Sequence, residues 1–245
     1  MKNSKKSLIS SLKRSKTKGG KDYIDLLLRN KDVSISAKIW SDKINNTEIK
    51  VGDIIEYEGK EESYKGVKQV ILIDYKVVED DISKYSNVPG REVIEGIFNC
   101  TLVIMNDMAN YTCKTIVSTL LTDTTLMESF LIAPAATSIH HDYKGGLVTH
   151  TYEVVSICDD VSKIISLNRD VLLCGALLHD IGKCSVYTEN NTVYSYNTTG
   201  ILEGHIPVGI QILNDLQTLS QLLSTEEHID NNTMSLLRHM ILAHH

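Results

Sequence analysis

The chain has 245 residues, of which 42% are hydrophobic and 23% are charged, enough apolar material for one large domain or two small ones. This composition excludes a disordered or collagen-like chain, and the longest apolar run is far short of the roughly 20 residues of a membrane helix. The five cysteines form no CxxC pair and lie mostly in apolar runs, which is typical of free thiols in a reducing compartment. We therefore expect a cytoplasmic protein that makes no use of a membrane.

Basic residues and histidines are both distributed unevenly along the chain. The first 21 residues contain eight Lys or Arg and no acidic residue, whereas the whole chain has a net charge of −6. Residues 1–16 are therefore interpreted as a basic arm, which either contacts phosphate or is a solvated tail. All nine histidines lie in the last 106 residues. This bias predicts that the C-terminal half handles metals or protons.

Residues 17–80 have the pattern of four or five short β-strands. The segment VSISAKIW (33–40) alternates strictly between apolar and polar positions, and the turns contain glycine. So few strands favour a small closed barrel over a sandwich. Trp40, the single tryptophan, falls on the polar face together with Lys38. It either stacks on a nucleic-acid base or folds back onto the barrel rim.

Residues 81–92 contain a Pro-Gly step and are interpreted as a linker, and the patterns after them are helical. His150, His205 and His244 each share a helix face with apolar residues. The segment from Val171 to Asp180 is apolar almost all round and ends in the dipeptide His179-Asp180. Each of these four segments is thus expected to place one histidine imidazole in an apolar interior.

Four converging imidazoles beside a carboxylate favour a metal site. A lone inward histidine is more often a hydrogen-bonded core residue, but burying several unpaired polar groups costs a few kcal/mol each, and a metal removes that cost. A His/Asp donor set without cysteine suits Mn, Fe, Co, Ni or Zn in a catalytic site. An aspartate next to a histidine can bridge two ions, which would clamp a phosphate during in-line attack.

Several segments of the chain resemble known proteins. The segments GGLVTHT (145–151), LNRDVLLCGALLHDIGK (167–183), GILEGHI (200–206) and HMILAHH (239–245) resemble the HD-domain metal-dependent phosphohydrolases. The segments YIDLLLRN, VSISAKIW, YKGVKQVILI and PAATSIHHDYKGGL are similar to those of the YhaM-type 3′-to-5′ exoribonucleases. The resemblance implies a multidomain fold, in which a small all-β OB-fold barrel at residues 17–80 precedes an all-α HD domain at residues 93–245.

The resemblance also implies a set of site residues. His150, His179 and Asp180 would hold one divalent ion, and Asp180 would bridge to a second ion held by His205, His244 and His245. Lys183 would neutralise phosphate charge, so Asp180 and Lys183 are the expected catalytic residues. Manganese is favoured, with Co, Fe, Ni and Zn as the other candidates. The family pattern continues past the paired histidines to a helix with a further aspartate ligand, so we expect this chain to be a fragment or a natural truncation.

The function implied by the resemblance is that of a metal-dependent 3′-to-5′ exoribonuclease, which hydrolyses single-stranded RNA, or also DNA, with a metal-bound hydroxide. Six residues are expected to contact the nucleic acid: Lys18, Lys21, Lys38, Trp40, Tyr64 and Lys65. Two alternatives stay open. One is a non-catalytic nucleic-acid-binding protein with a degenerate HD domain, and the other is an HD phosphohydrolase of a nucleotide or cyclic dinucleotide. The resemblance also suggests a homo-oligomer.

Overall fold

The computed structural model describes residues 4–31, 33–44, 48–64, 66–85, 88–137, 140–190, 193–223 and 228–245. The chain divides into two compact units. The first, Met1–Val88 with Glu189–Val193, contains a β-barrel, and the second, Pro89–Thr188 with Tyr194–His245, is mainly helical. Among the helices in these ranges, none combines the length and the hydropathy needed to cross a membrane.

Five strands close into the barrel. They are β1 (Lys5–Lys16), β2 (Asp22–Asn30), β3 (Val33–Trp40), β4 (Ile54–Tyr64) and β5 (Val67–Val78). Their order is β1-β2-β3-β5-β4, and β1 pairs with β4 to complete the ring. The β3–β5 pairing is parallel and the others are antiparallel. Five strands closed in this way define an OB-fold, so the predicted fold of this unit is confirmed.

Alternation along β2 and β3 builds the barrel core. Ile24 lies opposite Ile39, and Leu26 lies opposite Ala37. All four side chains are buried, whereas the positions between them carry polar groups or are at least partly exposed. The period of two thus places one face of each strand in the interior, as the sequence predicts.

The prediction of a basic arm is wrong for residues 5–16, which form strand β1. Leu8 and Ile9 are both 0% exposed, while most of the basic side chains of the strand face solvent. The register shifts between Ile9 and Ser11, and this bulge breaks the alternation that would have marked a strand in the sequence. The other predicted boundaries, a linker at residues 81–92 and a helical domain from residue 93, stay predictions.

After Pro89 the chain is mainly helical, as predicted, and its described residues also include a β-hairpin that was not predicted. Its helices are α1 (Arg91–Met105), α2 (Tyr111–Thr122), α3 (Thr124–Ile132), α4 (Gly146–Ile164), α5 (Arg169–Leu178), α6 (Thr198–Leu202), α7 (His205–Leu223) and α8 (Asn231–Ala243). The hairpin consists of β6 (Tyr187–Asn190) and β7 (Val193–Tyr196). Its tyrosine, threonine and valine residues around an Asn pair are a strand signal that the long helical pattern concealed.

Helix α5 is the centre of the helical core. Asn168 caps its N-terminus by accepting a hydrogen bond from the backbone N–H of Val171. Seven of its ten residues are buried, and they pack among residues that include Leu147, Leu213 and Leu237 of α4, α7 and α8. The apolar pattern of this segment thus corresponds to a buried helix. Its C-terminal end carries His179 and Asp180 into the middle of the unit.

Candidate metal centre

The side chains of the candidate centre come from four places in the helical unit. His150 lies on α4, His179 and Asp180 follow α5, and His205 begins α7. His244 and His245 follow α8. Helix ends thus supply every one of these groups except His150, and the packing of α4, α5, α7 and α8 in one core brings them to one point.

Asp180 stands at the centre of this arrangement. Its Oδ2 atom lies 3.4 Å from His150 Nε2 and 3.3 Å from His179 Nε2. Its Oδ1 atom lies 3.4 Å from His205 Nε2 and 3.3 Å from His244 Nε2. The residue is only 3% exposed, and Oδ1 is buried with no hydrogen-bond partner. A buried carboxylate oxygen without a hydrogen bond is costly, and a cation would satisfy it.

Pairs of imidazole nitrogens face one another across short gaps. The Nε2 atoms of His150 and His179 are 3.1 Å apart, and that of His205 lies 3.4 Å from His244 and 3.0 Å from His245. Two ligands about 2.1 Å from one ion, at tetrahedral or right angles, lie about 3.0–3.4 Å from each other. The spacings therefore fit edges of a coordination polyhedron.

Backbone carbonyl groups set the tautomer of two of these histidines. His179 Nδ1 lies 2.8 Å from the carbonyl oxygen of Ala176, and His244 Nδ1 lies 2.7 Å from that of Ile241. In each case Nδ1–H donates to the carbonyl, so the lone pair of Nε2 points toward Asp180. This is the orientation that a metal ligand requires.

Burial and charge leave Asp180, His205 and His244 in the protonation states of metal ligands. Burial opposes ionisation of Asp180, but hydrogen bonding to His150 and His179 and the charge of Lys183 outweigh it and lower the pKa of the carboxyl. Burial lowers the pKa of His205 to about 4, against the opposing charge of Asp180. Burial also lowers the pKa of His244. Near neutral pH, an ionised carboxylate thus faces the uncharged imidazoles of His205 and His244.

Two groups of ligand atoms therefore fit divalent ions, and they share Asp180. One ligand atom from each of His150, His179 and Asp180 lies within 4.8 Å of the others. The same holds for the group Asp180, His205, His244 and His245. The structure brings together all six histidine and aspartate residues that the resemblance implied as ligands, and their role as ligands stays a prediction.

Lys183 lies at the edge of this centre. Its Nζ atom donates to Asp180 Oδ2 over 2.7 Å, and its side chain is only 11% exposed. The 3₁₀ helix Ile181–Ser185 holds it one turn after the aspartate. A cavity of about 700 Å³ opens onto Lys183, His150 and His244 and gives a solute access to them.

Five of the six predicted nucleic-acid residues lie in described parts of the barrel unit, and of these Lys38 and Trp40 are neighbours. Lys38 Nζ lies 4.2 Å from the ring centroid of Tyr23 and 5.2 Å from that of Trp40, and 2.9 Å from Asp25 Oδ1. Trp40 is 37% exposed. Of the other predicted residues, Lys18 and Lys21 are exposed in and next to the β1–β2 turn and Tyr64 ends β4. Lys65 lies outside the described residues.

Sequence reasoning missed three groups near these sites. Tyr23 pairs with Trp40 across β2 and β3, with their ring centroids 5.6 Å apart. His239 lines the cavity at the metal centre. Glu153 contacts His141 beside His150. The spacing of His150 and Glu153, one helical turn apart, was a signal for the last of these.

The chain is similar to a domain family, to named relatives and to a solved structure. Residues 147–245 match the HD domain family. The chain is 27% identical to a protein of Oceanobacillus iheyensis named 3′-5′ exoribonuclease YhaM, over 97% of this chain and 74% of that protein. A protein of the same name from Bacillus licheniformis is 29% identical over 95% of this chain, and 74% of it is covered. Among solved structures, the second OB-fold domain of replication protein A from Methanococcus maripaludis matches 33% of this chain and 87% of that chain, with 19% identity and a TM-score of 0.26.

The strand order and the histidine cluster thus define an OB-fold followed by a helical HD domain, a class of domain that binds divalent metals. The similarity over nearly the whole chain then makes the relationship more specific. This protein is a homologue of the YhaM-type 3′-5′ exoribonucleases, as its motifs predicted.

Proposed function

We propose that the protein is a metal-dependent exoribonuclease that removes nucleotides from the 3′ end of single-stranded RNA, with single-stranded DNA as a second substrate. The observation that carries this proposal is the Asp180 carboxylate, whose two oxygens face imidazole nitrogens on opposite sides. Similarity to proteins named 3′-5′ exoribonuclease YhaM over 95% or more of the chain supports the substrate class and the direction of cleavage.

The proposed cofactor is a pair of divalent ions. His150, His179 and Asp180 would hold one ion, and Asp180 would share the other with His205, His244 and His245. Manganese suits these nitrogen and oxygen donors, as do Co, Fe, Ni and Zn. Ions bound there supply Lewis acidity at the phosphodiester.

The protein's own groups would orient the substrate and balance its charge. An ammonium group has three N–H donors, so Lys183 can hold Asp180 and donate to a phosphate oxygen at the same time. The burial of Lys183 strengthens this interaction, because a partly desolvated charge is screened less by water. His239 lines the same cavity as Lys183.

The barrel would hold the strand whose end is cleaved. OB-folds bind single strands through aromatic stacking and backbone charge, and Trp40 offers a partly exposed ring next to Tyr23. Lys38 lies over both rings and pairs with Asp25, so its charge is partly neutralised. We therefore assign stacking to Trp40 and assign the phosphate contacts to the exposed Lys18 and Lys21.

The cytoplasm is the proposed location. All five cysteines are free thiols. Cys113 and Cys174 are both completely buried in the helical core. Buried thiols that form no disulfide are typical of proteins that function in a reducing compartment.

Replacing Trp40 with alanine tests the stacking role. We expect Trp40→Ala to weaken single-stranded RNA binding by about 1–3 kcal/mol, roughly 5- to 150-fold in Kd, in fluorescence anisotropy titrations. Trp40→Phe retains an aromatic face and should recover most of the affinity. Val67→Ala, which shortens another exposed apolar side chain of the barrel, is the matched control. If Trp40→Ala binds RNA and degrades it processively as the wild type does, Trp40 does not stack on the RNA.

The proposed reaction is tested by incubating the purified protein and Mn²⁺ with single-stranded RNA labelled at its 5′ end. We expect a ladder of products that shortens from the 3′ end and disappears when a chelator is added. Intact RNA together with hydrolysis of a nucleotide or cyclic dinucleotide would replace the proposal with a small-molecule phosphohydrolase. Binding of RNA without any hydrolysis would leave a nucleic-acid-binding protein.

Metal binding should also stabilise the fold, and this is measured without any substrate. An ion that binds only the native state at 100 times its Kd adds about 2.7 kcal/mol to the free energy of unfolding. For a unit of this size, that raises the unfolding temperature by roughly 5–10 °C. Thermal unfolding followed by circular dichroism, with Mn²⁺ and with EDTA, checks this shift. Equal unfolding temperatures in both buffers would contradict the proposed centre.

A further inference from the structure

A second carboxylate lies beside the metal centre, on the more exposed side of His150. Glu153 is one helical turn after His150 on α4, and its Oε2 atom lies 3.0 Å from His141 Nε2. One ligand atom from each of His141, His150 and Glu153 lies within 4.8 Å of the others. His150 therefore belongs to two groups of possible ligands, one with Asp180 and one with Glu153.

The backbone holds His141 in an unusual conformation. Its φ angle is 54°, in the left-handed region that residues with a side chain rarely adopt. The backbone N–H of Ala135 donates to the His141 carbonyl oxygen over 2.9 Å. That oxygen is so close to α4 that a Cβ at Gly146 would lie 1.9 Å from it. A strained conformation persists only where its surroundings fix it, so the imidazole is placed by the fold.

Side-chain contacts fix the direction of the His141 ring as well. Tyr143 Oη lies 3.2 Å from Nδ1, and the Glu153 carboxylate accepts from Nε2. The ring centroid of His141 is 6.0 Å from that of His150. Both ring nitrogens of His141 therefore have defined partners.

Two imidazoles and one carboxylate form a donor set that suits divalent transition metals such as Mn, Fe and Zn. The site differs from the Asp180 centre in its access to solvent. The Glu153 side chain is 51% exposed and that of His141 is 19% exposed, compared with 4% for Asp180. A hydrated cation can thus reach Glu153 without entering the buried centre.

We propose that His141, His150 and Glu153 form an outer binding site for a divalent cation. Because this outer site shares His150 with the Asp180 centre, an ion in one site lowers the affinity of the other. The outer site should be the weaker of the two, since its carboxylate is largely solvated and an exposed charge attracts a cation less strongly.

The test is an equilibrium titration of the metal-free protein with Mn²⁺, in which electron paramagnetic resonance reads the free ion. We expect tight and weak classes of site in the wild type. Glu153→Gln and His141→Asn should weaken the weak class at least about tenfold and leave the tight class in place. His150→Asn should weaken both classes, since this residue is shared. Asparagine suits position 141 because it tolerates the left-handed conformation.

Asp160→Asn is the matched control, since Asp160 is a more exposed carboxylate on the same helix, and it should bind Mn²⁺ as the wild type does. The outer site is refuted if Glu153→Gln and His141→Asn both give the wild-type titration, because the contact between His141 and Glu153 is then only an ion pair. The titration contains no RNA, so a failure of the exoribonuclease assay leaves this result unaffected. Loss of the tight class in Glu153→Gln would equally overturn the proposal of a separate site.

Discussion

Replacement of Asp180 with asparagine should abolish RNA hydrolysis, with a fall in the single-turnover rate on the order of 10³-fold. The reason is geometric as well as electrostatic. Each oxygen of Asp180 faces two imidazole nitrogens, and an amide replaces one of these oxygens with an NH₂ group that repels a cation. The substitution also removes the negative charge that joins the two groups of ligands. We expect bound Mn²⁺, measured by elemental analysis after gel filtration, to fall together with the rate.

RNA binding in the presence of a chelator should be unchanged in the Asp180→Asn variant, because the proposed strand contacts belong to the barrel. Lys183 loses its carboxylate partner in this variant and is only 11% exposed, so some loss of stability is expected. Thermal unfolding in EDTA separates this loss from the loss of catalysis. Asp160→Asn, which alters an exposed carboxylate on α4, should cleave at the wild-type rate. Cleavage by Asp180→Asn at a comparable rate would exclude Asp180 from the reaction.

The parts of the fold that were predictable from the sequence are those with a regular period. Strict alternation in VSISAKIW predicts β3 and its buried face, and the apolar segment after Arg169 predicts the buried helix α5. Strand β1 was missed because its basic residues suggest a solvated tail and its bulge breaks the alternation at Ile9. The strand pattern in the sequence therefore failed at a local irregularity of the structure, the bulge in β1.

The ligand histidines were predictable individually, since each lies on an apolar helix face or at the end of a buried helix. Their grouping around Asp180 depended on the resemblance to HD domains, because helix faces do not specify which helices cross. His141 illustrates the limit most clearly. Its left-handed backbone and its contact with Glu153 depend on the turn before α4 and on the close approach of Gly146. No period in the sequence encodes that contact.

The metal centre forms where α7 packs closely against the segment that follows α5, and this close packing depends on Gly182. Replacing Gly182 with alanine should therefore damage both the fold and the metal site. A Cβ at position 182 would lie 1.9 Å from the carbonyl oxygen of His205 and 2.6 Å from the backbone nitrogen of Gly209. Both are backbone atoms of α7, so no side-chain rotation can relieve the overlap. Helix α7 must move away, and His205 moves with it from its position 3.4 Å from Asp180.

We expect Gly182→Ala to reduce the free energy of unfolding by about 1–3 kcal/mol, measured by urea denaturation with circular dichroism of the helical unit. The affinity for Mn²⁺ should fall by more than the loss of stability explains. The reason is that a displaced His205 moves away from the other ligands of its group, Asp180, His244 and His245. Gly96→Ala is the matched control, since Gly96 lies within α1 with no atom within 4 Å of its added Cβ. It should stabilise the helical unit by about 0.5–1 kcal/mol through helix propensity. If both variants shift stability in the same direction and bind Mn²⁺ equally, the approach of Gly182 to α7 does not position His205.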